Sequence, residues 1–249
     1  VARIEIGGAV LRLLSERAVF VESERALLVA DVHLGKAQSF RRLGVPVPEG
    51  TTGGTLARLS RAVAATGATR LVVLGDLLHA ALATPRARGS EVRETVAAWR
   101  RAHATLQCTL VRGNHDARAG DPPPDWQFDV VDEPWALGPL ALCHAPRSDQ
   151  AGRYVLAGHL HPAVHLSGRG PGHLRLPCFH FGAAVGVLPA FGEFTGGVGV
   201  RAAPGERIFA IADDEVREMP AVPARVENAE KAEQGQKADK NRPLHCPPS

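Results

Sequence analysis

The chain has 249 residues, 45% of them hydrophobic and 22% charged, with a formal net charge of +3. Such a composition buries a full core, which excludes a disordered or collagen-like polypeptide, and the weak positive charge is compatible with an anionic substrate without establishing one. Four widely spaced cysteines, Cys108, Cys143, Cys178 and Cys246, contain no C-x-x-C pair and exclude a disulfide framework. No signal-peptide pattern and no apolar run near ~18 residues is present, so the expectation is a soluble cytoplasmic protein without a membrane span.

In chain order, residues 3–30 hold short apolar runs separated by turn residues: Ile4 to Ile6, Val10 to Leu14, Ala18 to Val21 and Ala26 to Ala30. They predict a small antiparallel lead-in feeding a central strand that stops at Asp31. Leu56, Leu59 and Val63 repeat at helical spacing and predict a helix over 55–65, closed by Gly67. Leu71 to Leu74 is a β-branched run that ends in Gly75-Asp76, as a buried parallel strand does when it delivers an acid to the carboxyl edge of a sheet. A second helix begins near Ser90, with Val92, Val96, Trp99 and His103 on one face, and Leu106 to Val111 is the next strand. Strands alternating with helices build a parallel sheet through right-handed crossovers, with polar residues past each carboxyl end.

The second half changes character. Trp126 to Val131, Leu140 to Cys143, Tyr154 to Ala157, Val164 to Leu166, Leu174 to Phe181 and Ile208 to Ile211 read as short strands between glycine-rich turns. Residues 182–199 predict an ordered loop packed by its own Phe191 and Phe194. From about Pro220 the composition turns to Lys, Glu, Gln, Ala and Pro without aromatics. Such a segment cannot offset its ordering entropy, so the expected organisation is one domain over 1–219 and a disordered tail over 220–249.

Five clusters stand at these strand ends: Asp31-Val32-His33, Gly75-Asp76, Gly113-Asn114-His115-Asp116, His144, and Gly158-His159-Leu160-His161. Singly each has a plain explanation as a turn or an ordinary polar residue. Together, in this order and at one kind of position, they point to a shared centre. Carboxylate, imidazole and amide oxygen without thiolate suit divalent ions such as Mn²⁺, Fe²⁺ or Zn²⁺ and argue against a structural zinc site. Two metals ~3.5–4 Å apart, sharing a carboxylate, make a clamp for phosphoryl displacement.

The pattern D-x-H, GD, GNH[DE], His, GHxH resembles that of the calcineurin-like binuclear metallophosphoesterases. The resemblance covers roughly residues 25–215 and implies an α/β four-layer sandwich, two mixed β-sheets flanked by α-helices. It implies a first metal held by Asp31, His33, Asp76 and His161, and a second by Asp76, Asn114, His144 and His159. A hydroxide between the metals would attack the phosphodiester, His115 would assist the leaving oxygen, and Asp116 would orient His115. Leu34-Gly35-Lys36, the segment Phe40 to Pro48, Pro162 after the last motif and the segment Leu188 to Gly197 narrow the match. They are similar to the ligase-associated DNA damage response endonuclease or phosphodiesterase (PdeM) subfamily of bacterial repair gene clusters. That resemblance implies Mn²⁺, single-stranded DNA as substrate, and a DNA ligase and helicase as associates. Oligomeric state is left open, a homodimer included.

Lys36, Arg41 and Arg42 follow the first motif and are candidates to line a phosphate backbone, against the alternative of a solvated basic loop. Arg112 and Arg147 flank ligand loops and are further candidates, and His79 lies close enough to Asp76 in sequence to touch substrate or support a ligand. Two other functions compete with a DNA endonuclease: a phosphodiesterase or phosphatase acting on a small nucleotide metabolite, and a scaffold that keeps the metals without turnover. The intact ligand set with His115 argues against the scaffold.

Overall fold

Two mixed β-sheets face each other, and the apolar runs of the sequence supply both. The computed structural model describes residues 1–48, 50–81, 89–149, 151–167 and 173–220, so the expected tail lies outside the described residues but for Pro220. In the first sheet β1 (Ala2–Ile6), β2 (Ala9–Leu14), β3 (Ala18–Val21), β4 (Ala26–Ala30), β5 (Arg70–Leu74), β6 (Gln107–Val111) and β7 (Phe128–Val131) stand in chain order. The lead-in from β1 to β4 is antiparallel, and β4 to β7 are parallel.

Among the described residues four α-helices accompany this sheet: α1 (Lys36–Arg42), α2 (Thr51–Thr66), α3 (Gly89–Ala102) and α4 (Asn114–Ala119). The strands β4 and β5 look uniformly apolar, yet their two faces do different work, because successive side chains point oppositely. Leu27, Val29, Leu71 and Val73 pack against Leu56 and Leu59 of α2 and Val92, Val96 and Trp99 of α3. Leu28, Ala30, Val72 and Leu74 face the second sheet.

That second sheet holds β8 (Trp135–Leu137), β9 (Leu140–Leu142), β10 (Tyr154–Ala157), β11 (Pro162–Ser167), β12 (His173–Phe181), β13 (Val185–Val187) and β14 (Val198–Gly199). Its order is β14-β11-β12-β13-β10-β9-β8, and β15 (Arg207–Ala212) with β16 (Glu215–Glu218) branches from β12. Leu140, Leu142, Leu156, Phe179, Phe181 and Phe209 fill the space between the sheets. The expected sandwich of two mixed sheets is the observed fold.

Several local expectations are corrected. Helix α2 starts at Thr51, before the apolar stripe, because Gly53 and Gly54 of its first turn are exposed and carry no apolar signal. Lys36 to Arg42 is a helix and not a basic loop. Trp126 belongs to a 3-10 turn, Pro124–Trp126, where it is fully buried and its carbonyl accepts from Arg100 Nε at 2.8 Å; the strand begins at Phe128. Within 182–199, Phe191 is fully buried, but Phe194 is 46% exposed, so the loop is not packed by both its aromatics.

Candidate metal centre

Five loops leave carboxyl ends of strands and carry the seven expected ligands. Asp31 and His33 follow β4, Asp76 follows β5, Asn114 opens α4 after β6, His144 follows β9, and His159 and His161 follow β10. Parallel pairing within β4-β5-β6 and within β9-β10 brings these ends together. The sheets are tied across the site: the His159 amide donates to Asp31 Oδ2 at 2.8 Å, and His144 Nδ1 lies 3.1 Å from the Leu74 carbonyl oxygen.

The local backbone is strained at these positions. Asp31, His33, Asp76, His159 and His161 have φ of 54, 49, 53, 70 and 50°, a region that costs a non-glycine residue ~1–3 kcal/mol. Leaving a strand through this conformation turns the side chain towards a common point. Main-chain bonds hold the turns in place: Asp31 N to Gly75 O at 3.2 Å, His33 N to Asp76 O at 2.8 Å, and Leu34 N to Leu77 O at 2.8 Å. Gly75 itself sits at φ +73, and a Cβ there would collide with the His144 ring. Gly75→Ala is therefore expected to destabilise the protein by about 2–4 kcal/mol, strain and overpacking together. Thermal denaturation checks this, and an unchanged melting temperature would mean that His144 is not held against Gly75.

The ligand atoms fall into two groups. Asp31, His33 and His161 bring theirs within 4.8 Å of one another, and so do Asp76, His144 and His159. His161 Nε2 is 3.4 Å from Asp31 Oδ1, and His33 Nε2 is 4.0 Å from Asp76 Oδ2. In the other group His144 Nε2 lies 2.8 Å from Asn114 Oδ1, 3.0 Å from His159 Nδ1 and 3.5 Å from Asp76 Oδ1. Asp76 thus reaches towards both groups, one oxygen to each.

A divalent cation fits each group. When His144 donates its Nδ1–H to Leu74, its Nε2 carries a lone pair. That lone pair then faces two acceptor oxygens, Asn114 Oδ1 and Asp76 Oδ1, an arrangement a cation stabilises. In the first group Asp31 Oδ1 and His33 Nδ1 are buried without a hydrogen-bond partner among the described residues. Burial pushes His33 down to about 2, with the charges of Lys36, His161, His115 and His79 acting the same way, so its imidazole is neutral and able to ligate.

Asp116 takes a different place from that expected, and the His115 ring is held by another residue. The buried carboxylate of Asp116 does not orient the His115 ring. Its Oδ2 accepts from the amides of Asp76 at 2.7 Å and Gly113 at 3.0 Å, and its Oδ1 accepts from Leu78 at 3.1 Å. Both oxygens are thereby committed to the Asp76 turn and the start of α4. Burial raises the Asp116 pKa, against the pull of these amides. The His115 ring is oriented by His79, whose carbonyl oxygen lies 3.2 Å from His115 Nδ1 and whose ring stacks on it at 5.4 Å. His115 Nε2 is then 4.0 Å from Asp76 Oδ2, and its side chain is 33% exposed. An acid at the third position of a helix can accept from the capping residue's amide, which marks the bond of Asp116 to Gly113; nothing in the sequence marks its bonds to Asp76 and Leu78 or the His79 carbonyl.

The basic candidates divide. Burial lowers the pKa of the half-buried Lys36 ammonium, and the charges of Asp31 and Asp76 act against it. His79 joins His33 and His115 in a third cluster. Arg112 is already paired in the structure, its guanidinium bound to both oxygens of Asp121 at 3.0 and 3.1 Å and to Asp132 at 2.6 Å. Arg147 pairs with Glu133 at 2.9 Å, and Arg41 is turned back onto the Pro48 carbonyl at 2.8 Å. The Arg42 side chain lies outside the described residues.

Compared with known proteins, the chain matches no family model and no curated protein. Among solved structures it is similar to the Pseudomonas putida nuclease MPE, with 44% identity over 88% of this chain and 99% of that one and a TM-score of 0.75. The E. coli phosphoesterase YfcE matches at 17% identity and a TM-score of 0.37, over 78% of this chain and 97% of that one. A third match, the protein of unknown function AQ665 of Aquifex aeolicus, has 18% identity, a TM-score of 0.35, and coverage of 58% and 81%.

Proposed function

Since this chain belongs to the metallophosphoesterase family, and so is a metal-dependent phosphoester hydrolase, we propose that its substrate is nucleic acid and that it acts as an endonuclease on single-stranded DNA. The observation that carries this reading is the 44% identity with a nuclease along almost that protein's whole length. Residues 1–219 are assigned the activity, and a DNA ligase and helicase of a repair pathway are the associates inferred.

Asp31, His33, Asp76 and His161 would hold one cation and Asp76, Asn114, His144 and His159 the other, Mn²⁺ being suited to this mixture of carboxylate, imidazole and amide. When bound, the cations neutralise charge on the phosphoryl oxygens and acidify water. The protein's own groups do the rest. Asp116 fixes the Asp76 turn through three amides, so the bridging carboxylate meets both groups in one orientation. Lys36 adds positive charge beside Asp31 and Asp76, where the phosphate would dock. His115, its Nδ1 engaged by His79, presents Nε2 to the leaving oxygen and supplies a proton from that atom when doubly protonated. Asn114 and His159 are exposed, so the centre is open to a polymer chain.

A circular single-stranded DNA, which has no ends, tests the reading. Nicking of the circle with Mn²⁺ is expected. Binding should weaken with salt with a log–log slope of roughly −0.7 per phosphate contact. A circle left intact while a small diester is hydrolysed would move the assignment to a nucleotide metabolite.

A further inference from the structure

A cavity of about 190 Å³ opens beside His161, lined among others by Arg17, Arg175, Pro177 and Thr195. Its two guanidinium groups differ from the other arginines near the centre. Arg112 and Arg147 are neutralised by carboxylates, whereas Arg175, exposed on β12, has no carboxylate within 4.0 Å among the described residues. The Arg175 guanidinium lies against Gly197 and close to the His161 carbonyl; a Cβ at Gly197 would collide with it. That glycine lets the guanidinium approach the main chain of a metal-ligand residue.

Arg17 enters the cavity from the turn between β2 and β3, at φ 65. Among the described residues its side chain makes two long hydrogen bonds, to the carbonyl oxygens of Ala190 at 3.5 Å and Gly192 at 3.4 Å. Burial lowers its pKa, with Glu193 opposing. A half-buried cation with two long carbonyl contacts gains from an anion. Two guanidinium forks and a hydroxyl around one cavity are suited to a phosphate, which accepts from several N–H groups at once. Beyond Arg17 the surface turns mixed, with Glu16, Asp213 and Asp214 beside Arg58 and Arg61, so the favourable region ends after one group.

We propose that this cavity is an anion subsite, in which Arg175 and Arg17 hold the phosphate adjacent to the scissile one in a nucleotide chain. It rests on the nucleic-acid reading and gives it a direction: the strand leaves the metal centre past His161. The pocket recognises the phosphate and not the base, so it contributes affinity without sequence preference.

Two pairs of chromogenic substrates test the subsite on the metal-loaded enzyme. One is thymidine 5′-(4-nitrophenyl phosphate) with and without a 3′-phosphate. The other is thymidine 3′-(4-nitrophenyl phosphate) with and without a 5′-phosphate. In the wild type one pair should show a KM about tenfold lower for the member with the extra phosphate, the scale of one charge-assisted contact. In Arg175→Gln that difference should vanish, and Arg175→Lys should keep part of it. Equal KM values within both pairs in the wild type, or a phosphate preference that survives in Arg175→Gln, would overturn the proposal. Neither result touches the nucleic-acid reading, which the circular DNA decides by itself.

Discussion

Replacing Asp76 by alanine is expected to lower phosphodiester hydrolysis by more than about 10³-fold and to remove the effect of metal on stability. The reason lies in how many contacts this one carboxylate makes. Oδ2 is 4.0 Å from both His33 Nε2 and His115 Nε2, Oδ1 is 3.5 Å from His144 Nε2, and Oδ1 also accepts the His115 amide at 2.9 Å. Asp31 also touches the second group, through the His159 amide at 2.8 Å and His144 Nδ1 at 3.9 Å, but those nitrogens are a main-chain amide and a ring nitrogen engaged by Leu74, whereas Asp76 turns one oxygen towards Nε2 of a histidine in each group. Asp76 is also buried among other carboxylates, and burying charge is costly without compensation. The metal-free variant should therefore melt no lower than the metal-free wild type. The wild type should gain about 5–10 °C with Mn²⁺ at 100 times Kd, from a linkage of about 2.7 kcal/mol. Elemental analysis and thermal melts with and without Mn²⁺ read both effects. A variant that keeps two metals per chain and the full thermal gain would remove the bridging role.

His115→Ala is expected to keep its metals and lose rate, by about 10²–10⁴-fold on a DNA phosphodiester. The ring lies 4.0 Å from Asp76 Oδ2 and its Nδ1 is engaged by the His79 carbonyl, which supports the proposed place on the leaving-group side. The loss should shrink on a nitrophenyl ester, because nitrophenolate departs without a proton. Metal content and the melting temperature with Mn²⁺ should stay near wild type. An equal loss on good and poor leaving groups would make His115 a binding residue, and loss of metal would make it a ligand. His79 gives an independent check. It orients His115 through its main-chain carbonyl, so His79→Ala keeps that hydrogen bond and loses only the ring stack. Its loss of rate should be smaller than that of His115→Ala.

The chemistry of the centre was legible in the sequence because the residues that form it stand at the ends of apolar runs. Asp31, Asp76 and Asn114 follow strands whose length and β-branching mark them, and a parallel sheet places the carboxyl ends of its strands side by side. His144, His159 and His161 follow equally short runs in the second half. Order and spacing were therefore enough to mark five clusters as one candidate centre, while the family pattern carried the choice of seven ligands within them and the part given to His115. The family pattern carried the division of those ligands between two metals; composition and periodicity did not.

What only the tertiary structure decided concerns partners that are distant in sequence. Arg112, Arg147 and Arg41 looked equivalent to Lys36 as phosphate contacts, but these three are engaged by Asp121, Glu133 and the Pro48 carbonyl, while the Lys36 ammonium feels the charges of Asp31 and Asp76. A guanidinium is free or neutralised according to which carboxylate the fold brings to it, and local sequence does not encode that. Asp116 was assigned to its neighbour His115, yet its oxygens meet amides 38 and 40 residues away as well as Gly113. Arg17 and Arg175, 158 positions apart, meet beside His161 because the turn after β2 and the strand β12 come together across the sandwich. Periodicity and motif spacing report what one strand or turn does by itself. Which charge is left unpaired, and which ring a carbonyl holds, follows from the packing of the two sheets.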